Sequence, residues 1–258
     1  MREVRYRIRQ KLIAIQCGHK HTLKIYMDKE REELMKYLFV VAHPDDESDA
    51  AGGTISKLIK EGNDVAVAIM VSQAAARRDL SATLDDDEKE AFSILGVTKV
   101  YHADFPNIKM NTVPHLELVQ YIESCIEDFQ ADAIVTHHPT DTNNDHVMTS
   151  YAAQAACRLF QRKPDAVPNL KLFMYMETPS ATEWSLDKSS DRFTPDYYVE
   201  IGKEGLETKI KALQAYKGVM RPYPHPRSVE AYKGLAAYRG CQAGLNYAEA
   251  FQVVHQVH

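Results

Sequence analysis

With 258 residues, 45% of them apolar and 26% charged, the chain has material for one large α/β domain, and its composition excludes wholesale disorder. A formal net charge of −5, an isoelectric point near 6.1 and no long basic stripe argue against a surface for nucleic acid or other polyanions. No run approaches the ~18 apolar residues that span a bilayer, so stable membrane insertion is not expected.

Residues 1–35 are basic and mixed in pattern and read as an N-terminal extension, a short strand plus a helix, ahead of a single domain over 36–258. From Lys36 the chain alternates buried-strand runs with amphipathic segments. "YLFVVA" (37–42) is the first strand, "AAGGTISKLIKEG" (50–62) a helix stopped by Gly62, and "DVAVAIMVS" (64–72) the second strand. A helix follows from about Asp85 to Leu95, with acids in its first turn that suit the positive end of a helix. "KVYHA" is a short third strand, "VPHLELVQYIESCIEDFQ" (113–130) a long helix, and "DAIVTHH" (132–138) a fourth buried strand. A helix over 145–161, strands at "LKLFMYM" and "PDYYVEI", a helix at "GKEGLETKIKALQAY" and a last helix through "VEAYKGLAAYRG" complete the pattern. This alternation predicts an α/β fold, a Rossmann-like three-layer sandwich with a mostly parallel sheet and helices on both faces.

The cysteines, Cys17, Cys125, Cys157 and Cys241, are scattered with no C-x-x-C pair and read as free thiols, which suits a reducing cytoplasm. The first twenty residues lack an apolar core followed by a small-residue cleavage site, so a signal peptide is not expected and the cytoplasm is the expected compartment.

Two buried strands end in chemistry: "VVAHPDDE" after the first and "IVTHHPTDTNNDH" after the fourth. In an open parallel sheet, ligands sit beyond the carboxyl ends of the strands where strand order reverses, so both clusters point to one edge. His43 and Asp46, three residues apart on a tight turn, face one ion, and His146 at the opening of the later helix closes a triad. Two imidazoles and a carboxylate with an open position are a common catalytic zinc set. Asp45 is left unligated, placed to take a proton from metal-bound water. A lone His or Asp in such loops is usually a turn residue, and that bland reading holds for His137 and His138 taken separately. For the paired clusters it fails, because crowded acids at a buried strand end repel one another until a cation joins them.

These residues resemble the PIG-L/LmbE-like zinc-dependent N-deacetylases: "AHPDDE" with "GGT", then "THHPTDTNNDH". The resemblance runs from about Tyr37 to "YAEAF" at 247–251 and leaves the extension outside. It implies hydrolysis of an N-acetyl or small N-acyl group from an amino-sugar conjugate. It makes His43, Asp46 and His146 the zinc ligands, Asp45 the general base, and Asp145 a residue that orients a neighbouring imidazole. Zinc is the implied cofactor, and Fe2+ suits the same donor set. Where some members carry a histidine three residues before the last ligand, this chain has Asn143, which can donate to an oxyanion but supplies no proton at neutral pH. His225 in "YPHPRS" is the candidate second imidazole. The pattern usually continues "DDE" with a Leu-Gly pair one residue on; Asp49 and Ala50 stand there instead.

Arg77 and Arg78, after the second strand, fall where members often hold sugar or phosphate oxygens. Tyr223 and Arg227, in a proline-stiffened segment with His225, suit a cleft wall, and Asp141 suits a sugar hydroxyl or its own loop. The expected partner is an N-acetylated amino-sugar conjugate, and a homo-oligomer is compatible with the sequence. The rivals are an amidase for a larger N-acyl conjugate and a non-catalytic sugar- or nucleotide-binding protein on the same sheet. A dinucleotide oxidoreductase is disfavoured, because no G-x-G-x-x-G follows the first strand.

Overall fold

A computed structural model describes residues 6–15, 24–73, 83–185 and 191–257. Its centre is β3 (Lys36–Val41), where a strict alternation divides the side chains between two cores. Tyr37, Phe39 and Val41 point to one face, and Leu38 and Val40 to the other. No residue of Leu38–Val41 is solvent-accessible, as a strand covered on both faces requires.

Around β3 lie α1 (Asp46–Lys60), β4 (Asp64–Ile69), α2 (Leu84–Leu95), β5 (Lys99–His102), α3 (His115–Phe129), β6 (Ala133–His137), α4 (Asn144–Ala156), α5 (Leu159–Arg162) and β7 (Leu172–Met176). The chain continues through β8 (Tyr197–Glu200), α6 (Gly202–Ala215), α7 (Val229–Ala243) and β9 (Ala248–Gln256). The strand order is β5-β4-β3-β6-β7-β9-β8. Five strands, β5 to β7, run parallel, and β9 is antiparallel to both β7 and β8. Helices α1, α2 and α6 cover one face and α3 and α4 the other, so the predicted three-layer α/β sandwich is the observed architecture. The chain winds outward from β3 to β5 and then returns to set β6 on the other side of β3. That reversal opens a crevice beyond the carboxyl ends of β3 and β6.

Two elements differ from expectation. The pattern of residues 1–35 predicts a short strand plus a helix; the described part is instead an antiparallel pair, β1 (Tyr6–Ile15) and β2 (Lys24–Glu33). Its register sets Tyr6 opposite Glu33 and Ile15 opposite Lys24. The stretch after the last helix, which the sequence shows only as part of a motif, is the inserted antiparallel strand β9.

Strand β9 also repairs a break in α1. Ala51 has non-helical φ −138° and ψ 16°, which frees amide donors in the following turn. Buried Glu249 of β9 accepts from Gly53 N–H at 3.1 Å and Thr54 N–H at 2.7 Å, and Lys209 of α6 donates to it at 2.8 Å. Gly53 has to lack a side chain, since a Cβ there would lie 2.9 Å from Ile201. Glu249→Ala strands the Lys209 charge in the core and is expected to lower unfolding stability by about 3–5 kcal/mol, measured by denaturant titration. A loss under about 1 kcal/mol would show that Lys209 finds water instead.

Candidate metal centre and its cavity

The first cluster is built where β3 meets α1. Asp45 precedes the helix with φ 106°, a left-handed conformation uncommon for a residue with a side chain, which turns the chain sharply enough to aim Asp46 back at β3. The His43 N–H donates to Asp46 Oδ2 at 2.8 Å, closing the turn. The second cluster comes from the loop between β6 and α4. Asn143 caps α4 by accepting the Asp145 N–H at 2.9 Å, which seats His146 in the first turn.

The two meet at one carboxylate oxygen. His43 Nδ1 and His146 Nε2 each lie 3.3 Å from Asp46 Oδ2. All three residues are buried. A tetrahedral ion with bonds of about 2.0–2.1 Å would hold two of its ligand atoms at about that separation, so the donor set fits zinc in both type and spacing. His43 keeps Nδ1 free for an ion because its Nε2 donates to Asp145 Oδ2 at 3.1 Å. Asp145 also accepts from Ile108 N–H at 2.6 Å and Met110 N–H at 3.1 Å, so its carboxylate is spent on orienting His43 and the 108–110 loop.

His146 with His137 and Asp141 forms a second group of ligand type. It is the poorer set, because His137 Nε2 accepts the Ala42 N–H at 3.0 Å and has no lone pair to spare. His137 instead stacks on His146, with ring centroids 3.9 Å apart, and its Nδ1 reaches Thr178 Oγ1. His138 points elsewhere and packs edge-on against Tyr175 and Phe193.

Electrostatics follow from these contacts. Burial disfavours charge on His146, but Asp46 and Asp141 outweigh it and hold the imidazole well above its usual pKa. Burial likewise opposes His43, and Asp145 and Asp46 raise it. Asp46 stays well below the usual carboxylate range: burial would raise it, and the flanking His146 and His137 prevail. His137 is pushed down by burial and by charge on His146. Without an ion, protonation of His146 and His43 is thereby favoured next to Asp46.

A cavity of about 560 Å³ opens over His146. Asn143, Ile108, Ser180, Arg221, His225 and Arg227 are among the residues of its wall. The Asn143 Oδ1 is taken by its cap, so the Nδ2 hydrogens are the half of the amide available to the cavity. Asp45 is buried, adjacent to the triad, and receives Arg227 Nη1 at 3.4 Å. His225 sits on the wall with Nδ1 accepting the Arg227 N–H, and its pKa is pushed down by partial burial and by Arg227 and Arg221.

Of the expected substrate contacts, Asp141 and Tyr223 lie off the cavity wall and Arg227 lies on it. Asp141 is buried off the cavity: Oδ1 accepts the Asn143 N–H at 2.8 Å, and Oδ2 accepts Thr182 Oγ1 at 3.2 Å while facing His146 Nδ1 at 3.1 Å. That last contact is ionic, off the hydrogen-bond direction. Its carboxylate is turned toward its own loop and His146. Tyr223 is 68% exposed and outside the wall, because the proline-stiffened segment turns its ring to solvent. Arg227 lines the cavity, yet its guanidinium is anchored largely to protein. Arg77 and Arg78 lie outside the described residues. Sequence reasoning missed Ile108 and Ser180, whose signals are backbone ones: both are non-glycine residues with positive φ, 58° and 72°.

A family model described as PIG-L, GlcNAc-PI de-N-acetylase, matches residues 38–157. The diacetylchitobiose deacetylase of Thermococcus kodakarensis is 31% identical over 240 residues, covering 86% of this chain and 84% of that protein. An uncharacterized deacetylase of Escherichia coli, YaiS, is 25% identical over 188 residues, covering 70% of this chain and 89% of its own. Among solved structures, the conserved protein TT1542 from Thermus thermophilus has a TM-score of 0.71 at 21% identity, covering 87% of this chain and 97% of that one. The N,N'-diacetylchitobiose deacetylase from Pyrococcus horikoshii has a TM-score of 0.68 at 21% identity, covering 85% and 84%. At those identities the structural likeness shows the shared fold.

Proposed function

This chain belongs to the PIG-L family of de-N-acetylases, and from that premise we propose that it is a metal-dependent hydrolase that removes an N-acetyl group from an amino-sugar conjugate. The observation that carries the proposal is the convergence of His43 Nδ1 and His146 Nε2 on Asp46 Oδ2 beside a cavity that His146 lines. These three residues would hold the ion, zinc by donor type, with Fe2+ compatible. Bound there, zinc would lower the pKa of a water to about 7 and polarise an amide carbonyl.

The rest of the chemistry belongs to the chain. Asp45 takes the proton of the attacking water as general base. The Asn143 Nδ2 donates to the oxygen that gains charge as the carbonyl carbon becomes tetrahedral. Asp45 then returns its proton to the departing nitrogen, since Asn143 has none to give, and the products are acetate and a free amine. Asp145 and Asp141 hold the imidazoles of His43 and His146 in place. His225 on the wall is assigned to orienting the sugar. Arg77 and Arg78 stay assigned to sugar or phosphate oxygens. The single-domain organisation over 36–258 is part of the same proposal.

The wider relationship favours sugars: the Thermococcus relative is named for diacetylchitobiose. Among the described residues, no helix of the structure is long and apolar enough to cross a membrane. The test is amine release from a panel of N-acetylglucosamine, N,N'-diacetylchitobiose, nucleotide-linked N-acetyl sugars and glycolipid headgroups, with longer N-acyl amides as controls. Turnover of at least one N-acetyl sugar that stops on chelation is expected. Turnover of the longer amides alone would establish the amidase rival, and none at all the binding-protein rival.

A further inference from the structure

Asp49 stands where the family pattern has an apolar residue, and it is fully buried. A carboxylate in that position is costly unless something holds it. Two groups do. Tyr232 of α7 donates its hydroxyl to Asp49 Oδ1 at 2.6 Å, and Arg227 Nε lies 3.4 Å from Asp49 Oδ2. The same guanidinium extends Nη1 to Asp45 Oδ2 at 3.4 Å and donates Nε–H to Ser180 Oγ at 2.9 Å. Asp45 and Asp49 are four residues apart at the start of α1, so one planar fork spans both carboxylates from a single side. The segment carrying Arg227 is itself tied down, with Arg221 N–H donating to the Arg227 carbonyl at 3.0 Å.

We infer that Arg227 is a positioning residue for the general base, and that Asp49 is the anchor that holds Arg227 over Asp45. Asp45 sits on a left-handed backbone next to the metal-ligand candidate Asp46, and the guanidinium places a fixed positive charge beside its Oδ2. That charge gives the carboxylate a direction. Asp49 supplies the opposite charge that holds the guanidinium against the wall, so that its N–H groups stay on Asp45 and Ser180. Tyr232 carries the chain of contacts into α7.

The inference rests on the reading of Asp45 as general base, and its test has two arms so that the two can fail separately. The first arm is kinetic, with N,N'-diacetylchitobiose as probe. Arg227→Gln and Asp49→Asn are each expected to lower kcat about 10–100-fold with KM within about twofold, because misplacement of a catalytic group costs turnover rather than binding. Zinc content stays unchanged, Arg227→Lys recovers part of the loss, and the Arg227→Gln/Asp49→Asn double variant is no slower than Arg227→Gln alone. A raised KM at unchanged kcat would make Arg227 a substrate contact and overturn the inference. The second arm needs no turnover: unfolding midpoints of the same single and double variants, and of Arg227→Gln combined with Asp45→Asn. Shifts that are smaller in each double than the sum of its singles show the three groups acting together. Additive shifts in both cycles would overturn the inference even in an active enzyme.

Discussion

Asp45→Asn is expected to lower kcat for acetate release by about 10²–10⁴-fold while the protein keeps its metal and its fold. The size follows from the role: a positioned base contributes that much when proton transfer accompanies attack. Metal retention follows from the geometry, since the convergent ligand atoms belong to His43, Asp46 and His146 and not to Asp45. Asparagine is the informative replacement. Residue 45 has φ 106°, and Asn accepts positive φ far better than Ala, so the variant isolates the lost base from lost backbone geometry. Steady-state kinetics on a turned-over N-acetyl sugar, with zinc content and circular dichroism alongside, check it. A variant with more than about a tenth of wild-type turnover would remove Asp45 from the role of base.

His146→Ala is expected to weaken zinc binding by more than the ~10–100-fold that loss of an orienting partner alone costs. The same substitution should flatten a pH dependence. In metal-free protein, Asp46 and Asp141 raise His146 well above its ordinary pKa near 6.5, and Asp145 and Asp46 raise His43. A histidine raised on folding contributes stability that is fully present below the unfolded pKa and lost as pH rises through the folded one. The metal-free protein should therefore unfold more easily at pH 8 than at pH 6. Zinc requires both rings neutral, so its affinity moves the other way and rises across the same window. Thermal unfolding and zinc titration at several pH values read both slopes. In His146→Ala both should flatten, and wild-type slopes in the variant would contradict the charge assignment.

Much of the architecture was readable because buried parallel strands announce themselves. Leu38–Val41 and Ala133–Val135 are unbroken apolar runs, and each leads into a cluster of imidazoles and carboxylates. Strand adjacency at a reversal point then brings the two clusters together. What the sequence hid depends on side-chain direction within irregular segments. In "RPYPHPRS" the prolines mark stiffness and leave open which of Tyr223, His225 and Arg227 faces inward; the first turns to solvent and the other two reach the wall. Asp141 reads like any polar loop residue until Thr182, forty-one positions later, claims one of its oxygens. The role of Glu249 was equally hidden, since "AEAF" gives no hint that its acid caps a broken helix 196 residues upstream. Ile108 and Ser180 entered the wall through positive φ, which no residue type in those loops foretells.

The central claim is that the ends of β3 and β6 are joined by one bound ion. Its most direct test is metal analysis of the purified chain reconstituted with zinc and dialysed, alongside a His43→Ala variant. One zinc per wild-type chain, a value near zero in the variant, and loss of acetate release on chelation are the predicted results. Equal zinc in both proteins, or none in either, would contradict the claim and leave the fold without its hydrolytic centre.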